Sequence, residues 1–371
     1  MVNKLGVNKL EVFISDRRVG VMALTPDALC AFEYDAQWLQ DGFSISPFEL
    51  PLRSGVMIAR RDPFAGGFGV FDDSLPDGWG NLILDRYLSE QGVNPDKLTL
   101  LDRLALIGST GRGALEFRPD RSIASDGGFI DFDKLARDAE IILGDSSGAV
   151  SADELYRYGG SSGGARPKVF TSINSRHWLV KFRTSLDSND IGEIEYNYSL
   201  LAKECSIIMS ETKLFNSKYF AVERFDRIVN GKIHTISAAG LLGANYRIPS
   251  LDYSILMKLT LNLTRDMTQV MQMFRIMVFN VLISNRDDHA KNFSFQYIGS
   301  RWKLSPAYDL LPSSGFNGFH TTTINGAGEP TLKEILAVAK EIGIAENSAM
   351  DIINELQQRC KVAKMVKIKL L

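Results

Sequence analysis

No stretch of this sequence offers the run of about 18 consecutive apolar residues that a membrane-crossing helix needs, so an integral membrane role is not expected. Cysteine is scarce. Cys30, Cys205 and Cys360 are odd in number and far apart, which argues against a disulfide framework and a thiolate metal site and points to a reducing, cytoplasmic compartment. Histidine is scarce too: His177, His234, His289 and His320 never stand at helical ligand spacing, so any metal is expected on oxygen ligands. Neither charge dominates, with 42 Lys and Arg against 44 Asp and Glu, and this excludes a global attraction to nucleic acid or anionic lipid. Residues Met1 to Val12 lack the basic, apolar and small-residue succession of a secretory signal. There is no internal repeat, no low-complexity segment, and neither a Walker pattern nor G-x-G-x-x-G.

What is present is an ordinary globular composition, 45% apolar and 23% charged, over 371 residues, a length suited to two or three domains. The first part carries short β-type runs (Val12 to Ile14, Gly20 to Leu24, Cys30 to Tyr34) and a helical stretch from Gly78 to Gln91 behind the turn-prone Pro76-Asp77-Gly78. A turn-rich cluster between Arg118 and Gly128 marks a boundary. Beyond it come the glycine-rich Gly159 to Gly164, β-type runs at His177 to Phe182 and Tyr219 to Val222, and a helix over Glu195 to Cys205. The clearest helix is Met267 to Ile283, apolar nearly all round and therefore buried, with its methionines read as core. A hairpin, Phe293 to Tyr297 and Trp302 to Leu304, follows. The fold expected is α+β, with divisions at 1–122, 123–228 and 229–371.

Phosphoryl transfer needs a group that orients the acceptor hydroxyl, oxygen ligands for magnesium, a cation on the phosphates and a loop that covers them. Asp287 and Asn292 stand at the separation of the base and the metal-binding amide in a kinase catalytic loop. Asp309, expected at the end of a strand, is a second magnesium ligand. Taken alone, Asp287, Asp288 and Asn292 serve equally as turn residues and helix caps. Alone, the glycine run is a flexible loop, Lys181 an edge lysine and Glu195 a solvated helix residue. Their order along the chain tips the balance toward chemistry.

These residues resemble the HipA-like serine/threonine kinases, toxins of bacterial toxin–antitoxin pairs. The resemblance covers nearly the whole chain. Its most specific element is Asn285-x-Asp287-x-His289-x-Lys291-Asn292, followed by Pro306-Ala307-Tyr308-Asp309. The resemblance implies a protein-kinase-like bilobal fold, ATP and Mg²⁺ as cofactors, Asp287 as catalytic base, and Asn292 and Asp309 as metal ligands. It implies that Ser161, Ser162, Gly163 and Gly164 cover the phosphates, with Ser161 the autophosphorylation candidate. Lys181 takes the ATP phosphates, Glu195 is its helix partner, and the backbone of Glu223 and Phe225 faces adenine. His289 is assigned to bracing the loop.

Pro51-Leu52-Arg53 and Leu75-Pro76-Asp77-Gly78 are similar to the family's first subdomain, which packs on the kinase and helps contact the antitoxin. Two departures stand out: Ser237 to Leu242 replaces an acidic, glutamine-containing segment, and the carboxyl-terminal helical part is short. The partners implied are a protein substrate, of the translation apparatus, and a helix-turn-helix antitoxin through which DNA is met only indirectly. The basic tail from Arg359 to Leu371 reads as a solvated terminus before it reads as a DNA contact. A small-molecule kinase and a non-catalytic corepressor or antitoxin-binding pseudokinase are the rival readings.

Overall fold

Alternation near the amino terminus buries Leu10 and Val12 at 0% exposure, and the flanking runs pair with that strand in a single antiparallel sheet. The sheet order is Met57–Ile58, Cys30–Tyr34, Arg17–Leu24, Lys9–Ile14 and Glu116–Arg118. The structure, a computed structural model, describes residues 6–123, 130–144, 150–315 and 317–363. Part of the expected boundary cluster, residues 124–128, and the tail from 364 therefore lie outside the described residues. The chain divides into two compact units, residues 1–193 with 212–236, and residues 194–211 with 237–371.

In the first unit, helix Gly78–Glu90 puts Trp79, Ile83, Leu84, Tyr87 and Leu88 on one face, the three-to-four spacing of an amphipathic helix. That face joins Leu135, Leu155, Tyr156, Val169, Trp178 and Val180 in one core, with Tyr87 stacked on Tyr156 at 4.5 Å between ring centroids. Fully burying each large apolar side chain contributes about 1.5–3 kcal/mol, so this helix is held mainly by packing rather than by propensity. Over the same core lies a second antiparallel sheet in the order Lys168–Ile173, Arg176–Lys181, Tyr219–Glu223, Thr212–Phe215.

The second unit is mainly helical. Helix Met267–Ile283 begins where the Asp266 carboxylate accepts the Thr268 N–H, and it is buried continuously from Ile276 to Ile283. Met273 and Met277 are both 0% exposed and are core residues, as their spacing predicts, whereas Met271 is half-buried and Met267, in the first turn, is exposed. Tyr253–Thr264, Leu332–Ile342 and Glu346–Val362 are further helices of this unit, and Ser294–Ile298 with Arg301–Leu304 forms the expected hairpin. The helix expected over Glu195 to Cys205 is Ile191–Glu204. The three cysteines are buried and free. Among the described residues no helix is long and apolar enough to cross a membrane.

Candidate active site

The buried helix stops at Ser284, whose φ of 57° turns the chain out of the helix. Asn285 follows, 3% exposed, and its side-chain amide donates to the Asn280 side-chain oxygen at 3.0 Å and to the Asp309 carbonyl at 3.1 Å. One residue thus ties the loop's start to the segment carrying Asp309. Asp287 is exposed, and its N–H and that of Arg286 both donate to Ser313 Oγ, at 2.7 and 3.0 Å. Asn292 closes the turn by donating its Nδ2 to the Asp287 carbonyl at 2.7 Å. The backbone of Asp287 is therefore held from both sides in a residue that is itself exposed.

Asp288 points the other way. It is 0% exposed; Oδ1 accepts the N–H groups of Thr321 and Thr322 at 2.9 and 3.1 Å, and Oδ2 meets the Tyr253 hydroxyl at 3.0 Å and His320 Nδ1 at 2.8 Å. Burial, and then the neighbouring Asp288 charge, push the Tyr253 hydroxyl well above its ordinary value, which keeps it a donor. Reading Asp288 as a turn residue or cap is corrected here: a carboxylate meeting four donors is a buried anchor. His289 is half-buried; its Nδ1 accepts the Lys291 N–H at 3.2 Å at the start of the short turn Ala290–Asn292. Lys291, 9% exposed, lays its ammonium 4.0 Å from the Tyr246 ring centroid.

Asp309 is not at the end of a strand. The strand stops at Leu304, and Asp309 stands beyond it in irregular backbone with φ 59°, a left-handed conformation that Asp tolerates better than most residues. The approach to it is pinned by the Ala307 N–H on the Ile208 carbonyl at 2.8 Å, and by the Tyr308 hydroxyl, which donates to the Lys291 carbonyl at 2.5 Å and lies 2.7 Å from Ser294 Oγ. Asn292 and Asp309 line one recess together with Asn280, Asn285, Pro306 and Tyr308. One carboxylate and one carboxamide oxygen suit magnesium, which takes few protein ligands and completes its shell with water and phosphate oxygens.

The other expected nucleotide residues belong to the first unit, Glu195 excepted. Lys181 ends its strand opposite Lys168, with its ammonium 5.7 Å from the Phe220 ring centroid. Glu223 pairs with Trp178 across the sheet; Arg176 binds its carboxylate twice, at 2.7 and 2.5 Å, and holds it below the usual carboxylate range. Phe225 lies under the Arg112 guanidinium, 6.0 Å from its centroid. Next to it Asp226 is a buried hub that accepts from Arg224, Arg227 and the Gly113 N–H. Burial opposes its ionisation, and the two guanidiniums override it, keeping the carboxyl well below its ordinary value.

In the glycine-rich stretch, Ser161 Oγ donates to the Thr110 carbonyl at 3.1 Å, and the buried Ser162 donates to the Gly159 carbonyl at 2.6 Å. Gly163 accepts the Lys168 ammonium at 2.5 Å, while Gly164, at φ 87°, donates its N–H to the Asp77 carboxylate. This is not a free flexible loop. Glu195 is 4% exposed, so the solvated reading of that residue is corrected as well; it belongs to the second unit. The structure thus gathers Asp287, His289, Asn292 and Asp309 in one unit, and Lys181, Glu223, Phe225 and residues 161–164 in the other. The sequence singles out neither Ser313 nor His320; it places Asp77 only in a turn of the first subdomain and Asp226 only in the segment similar to the hinge, because none stands in a spacing pattern with the others.

Residues 160–364 match the family model of the HipA-like C-terminal domain, and residues 10–118 that of the HipA N-terminal domain. The protein named "Putative kinase Y4dM" of Sinorhizobium fredii is 24% identical over 358 residues, 86% of each chain. "Putative kinase Y4mE" of the same organism is 28% identical over 112 residues, 26% of each chain. Among solved structures, the Shewanella oneidensis MR-1 toxin–antitoxin complex of HipA, HipB and operator DNA has a chain similar at TM-score 0.70 and 21% identity, over 95% of this chain and 89% of that one. That likeness is one of fold: mixed α and β, β-rich toward the amino terminus and helical toward the carboxyl terminus.

Proposed function

The chain belongs to the HipA-like family, and on that premise we propose that it is an ATP- and magnesium-dependent serine/threonine protein kinase acting as the toxin of a toxin–antitoxin pair. The observation that carries this reading is the turn closed by Asn292 on the Asp287 carbonyl, with Asn292 and Asp309 lining one recess. In it Asp287 orients the acceptor hydroxyl, its backbone fixed by Ser313 and Asn292 at an exposed position. Asn292 and Asp309 would hold magnesium, which would supply neutralisation of the charge that develops on the transferring phosphoryl group. Lys181 holds the α and β phosphates, Glu195 is its partner, the backbone of Glu223 and Phe225 receives adenine, and residues 161–164 cover the phosphates. His289 braces the loop by capping the turn Ala290–Asn292.

The kinase names of the Sinorhizobium relatives support the reaction class. The Shewanella complex, which holds HipA, HipB and operator DNA, supports an antitoxin partner. In the reading proposed here, DNA is met through that partner. The acceptor is a protein hydroxyl, of the translation apparatus, in the cytoplasm; Ser161 is the self-modification site.

The test is transfer of labelled γ-phosphate from ATP to lysate proteins and to the chain itself. Asp287→Ala and Asp309→Ala should each lower transfer by about 10³-fold or more with the fold retained, Asp309→Ala losing in addition about 1 kcal/mol of stability for an alanine at positive φ, since the chief loss in each is transition-state stabilisation. Undiminished transfer by Asp309→Ala would sink the metal assignment. Label on small molecules and on no protein band would replace the protein-kinase reading with a small-molecule one.

A further inference from the structure

Helix Gly78–Glu90 falls within the stretch matched by the N-terminal domain, yet its buried face shares a core with side chains between Phe132 and Phe182 and with Tyr219 and Ala221, and its first turn touches the glycine-rich loop. The approach is close. A Cβ added at Gly80 would lie 2.1 Å from the Ser162 carbonyl oxygen, and one at Gly78 would lie 2.7 Å from that of Gly164. Both positions require glycine because another backbone occupies the space of a side chain. Across this contact the Trp79 N–H donates to the Gly164 carbonyl at 3.0 Å, and the Asp77 carboxylate accepts the Gly164 N–H. From the loop's other flank Lys168, only 7% exposed, donates its ammonium to the Gly163 carbonyl at 2.5 Å. Two successive glycines, the most adaptable residues of the loop, are thereby fixed by a carboxylate, a backbone amide and a buried ammonium.

We propose that Asp77 is a positioning residue for the phosphate-covering loop: its carboxylate latches the Gly164 amide, so the first turn of helix Gly78–Glu90 sets where residues 161–164 stand. The proposal rests on the kinase reading for its effect on nucleotide and on geometry alone for the latch. A carboxylate is the residue type for this task. It has no proton to offer at neutral pH, so it selects the N–H and not the carbonyl of Gly164, and a charge-assisted bond is about twice as strong as a neutral one. The N-terminal domain then does more than pack on the rest of the chain. It carries one jaw of the nucleotide-covering apparatus, and a shift of this helix moves the loop.

The latch is read first without nucleotide, by amide hydrogen exchange of the full chain. Asp77→Ala should speed exchange of the peptide spanning residues 161–166 by about 10-fold, the size of one charge-assisted bond, with helix Gly78–Glu90 and strand Lys168–Ile173 unchanged. Asp77→Asn, which keeps an acceptor oxygen and loses the charge, should fall between. Gly80→Ala, with Asp77 intact, should loosen the same peptide by displacing the Ser162 carbonyl. With Mg-ATP, Asp77→Ala should raise the KM for ATP by about 5- to 10-fold and change kcat by no more than about twofold. Unchanged exchange at 161–166 overturns the latch; an equal rise throughout Gly78–Glu90 makes Asp77 a helix-stability residue and overturns it too. Loosened exchange with an unchanged KM removes the positioning role. A wild-type chain that neither binds nor turns over Mg-ATP, with exchange responding as expected, leaves the latch standing and removes the kinase reading.

Discussion

The loop Asn285 to Asn292 and the loop Ser161 to Gly164 are both fixed by an aspartate, and the two aspartates work under opposite conditions. Asp288 is fully buried and meets two amides, a tyrosine hydroxyl and a histidine. Asp77 is half-exposed, and water can compete with it for the amide of Gly164. A buried carboxylate cannot leave its donors without stranding them, so the first loop's geometry is part of the stability of its unit. A half-exposed one can exchange an amide for solvent at smaller cost, so this tie of the second loop can be released with the fold intact. The loop assigned to the chemical step is the rigid one. The loop assigned to covering nucleotide is the adjustable one.

The largest expected effect breaks the rigid side. Asp288→Ala should destabilise the chain by about 3–5 kcal/mol, because Tyr253, His320 and the Thr321 and Thr322 amides are left buried without their acceptor. Denaturant unfolding measures it, with the exposed Asp287→Ala as control at about 0.5 kcal/mol or less. If the two variants unfold alike, the contrast between a buried and an exposed aspartate fails.

Proton linkage sharpens the comparison on the first unit, where two groups, the half-buried Glu49 and the buried His234, are shifted by their surroundings. Burial foremost, and then the Asp73 charge, push Glu49 up to about 7 against the pull of the Gly69 N–H. Its folded value lies above its unfolded one near 4.5, so its contribution falls as pH rises from about 4.5 to about 7. Burial pulls His234 down to about 4 from 6.5; its contribution is full above pH 6.5 and is lost as pH falls toward 4. Glu49→Gln should therefore raise stability at pH 7.5 by about 1–2 kcal/mol, after discounting for partial exposure, and expose the acid-side loss that His234 causes. Thermal melts from pH 4.5 to 7.5 decide this; a variant no more stable than wild type at pH 7.5 refutes the assignment.

Much of the second unit was legible because its signals are local. Helix Met267–Ile283 shows its apolar spacing, and Asp287 and Asn292 stand five residues apart on the turn that leaves it. Asp288 was not legible. Its partners lie 32 to 35 residues away, so nothing next to it in sequence separates a turn aspartate from a buried anchor. Asp309 went astray for a related reason: a positive φ beyond the end of a strand depends on how the segment is pinned at Ala307 and Tyr308, which local pattern does not encode. Asp77 stood in a turn-prone triplet whose turn chemistry was sufficient explanation until Gly164, 87 residues on, was placed against it. The segment 194–211 likewise belongs with residues 237–371 although no break in periodicity marks where the chain passes from one unit to the other.

The smallest expected effect tests whether the two loops act independently. Ser313 Oγ accepts the N–H groups of Arg286 and Asp287 and donates to the Asn285 side-chain oxygen at 3.3 Å, so it sets the height of the backbone that carries Asp287. It is only half-buried, and water can replace its oxygen; Ser313→Ala should cost about 1 kcal/mol of stability or less. Its functional cost should be larger than its structural one, because a misplacement of about 1 Å at the group that orients the nucleophile lowers the rate on the order of 10- to 100-fold. That loss belongs in kcat, with the KM for ATP unchanged, since the residues proposed to cover and hold the phosphates stand on other segments of the chain. Asp77→Ala should give the reverse pattern, and the double variant should show the product of the two effects. A Ser313→Ala chain whose KM for ATP rises as much as its kcat falls would mean that the two loops are one mechanical element, and the division into a rigid loop and an adjustable one would have to be abandoned.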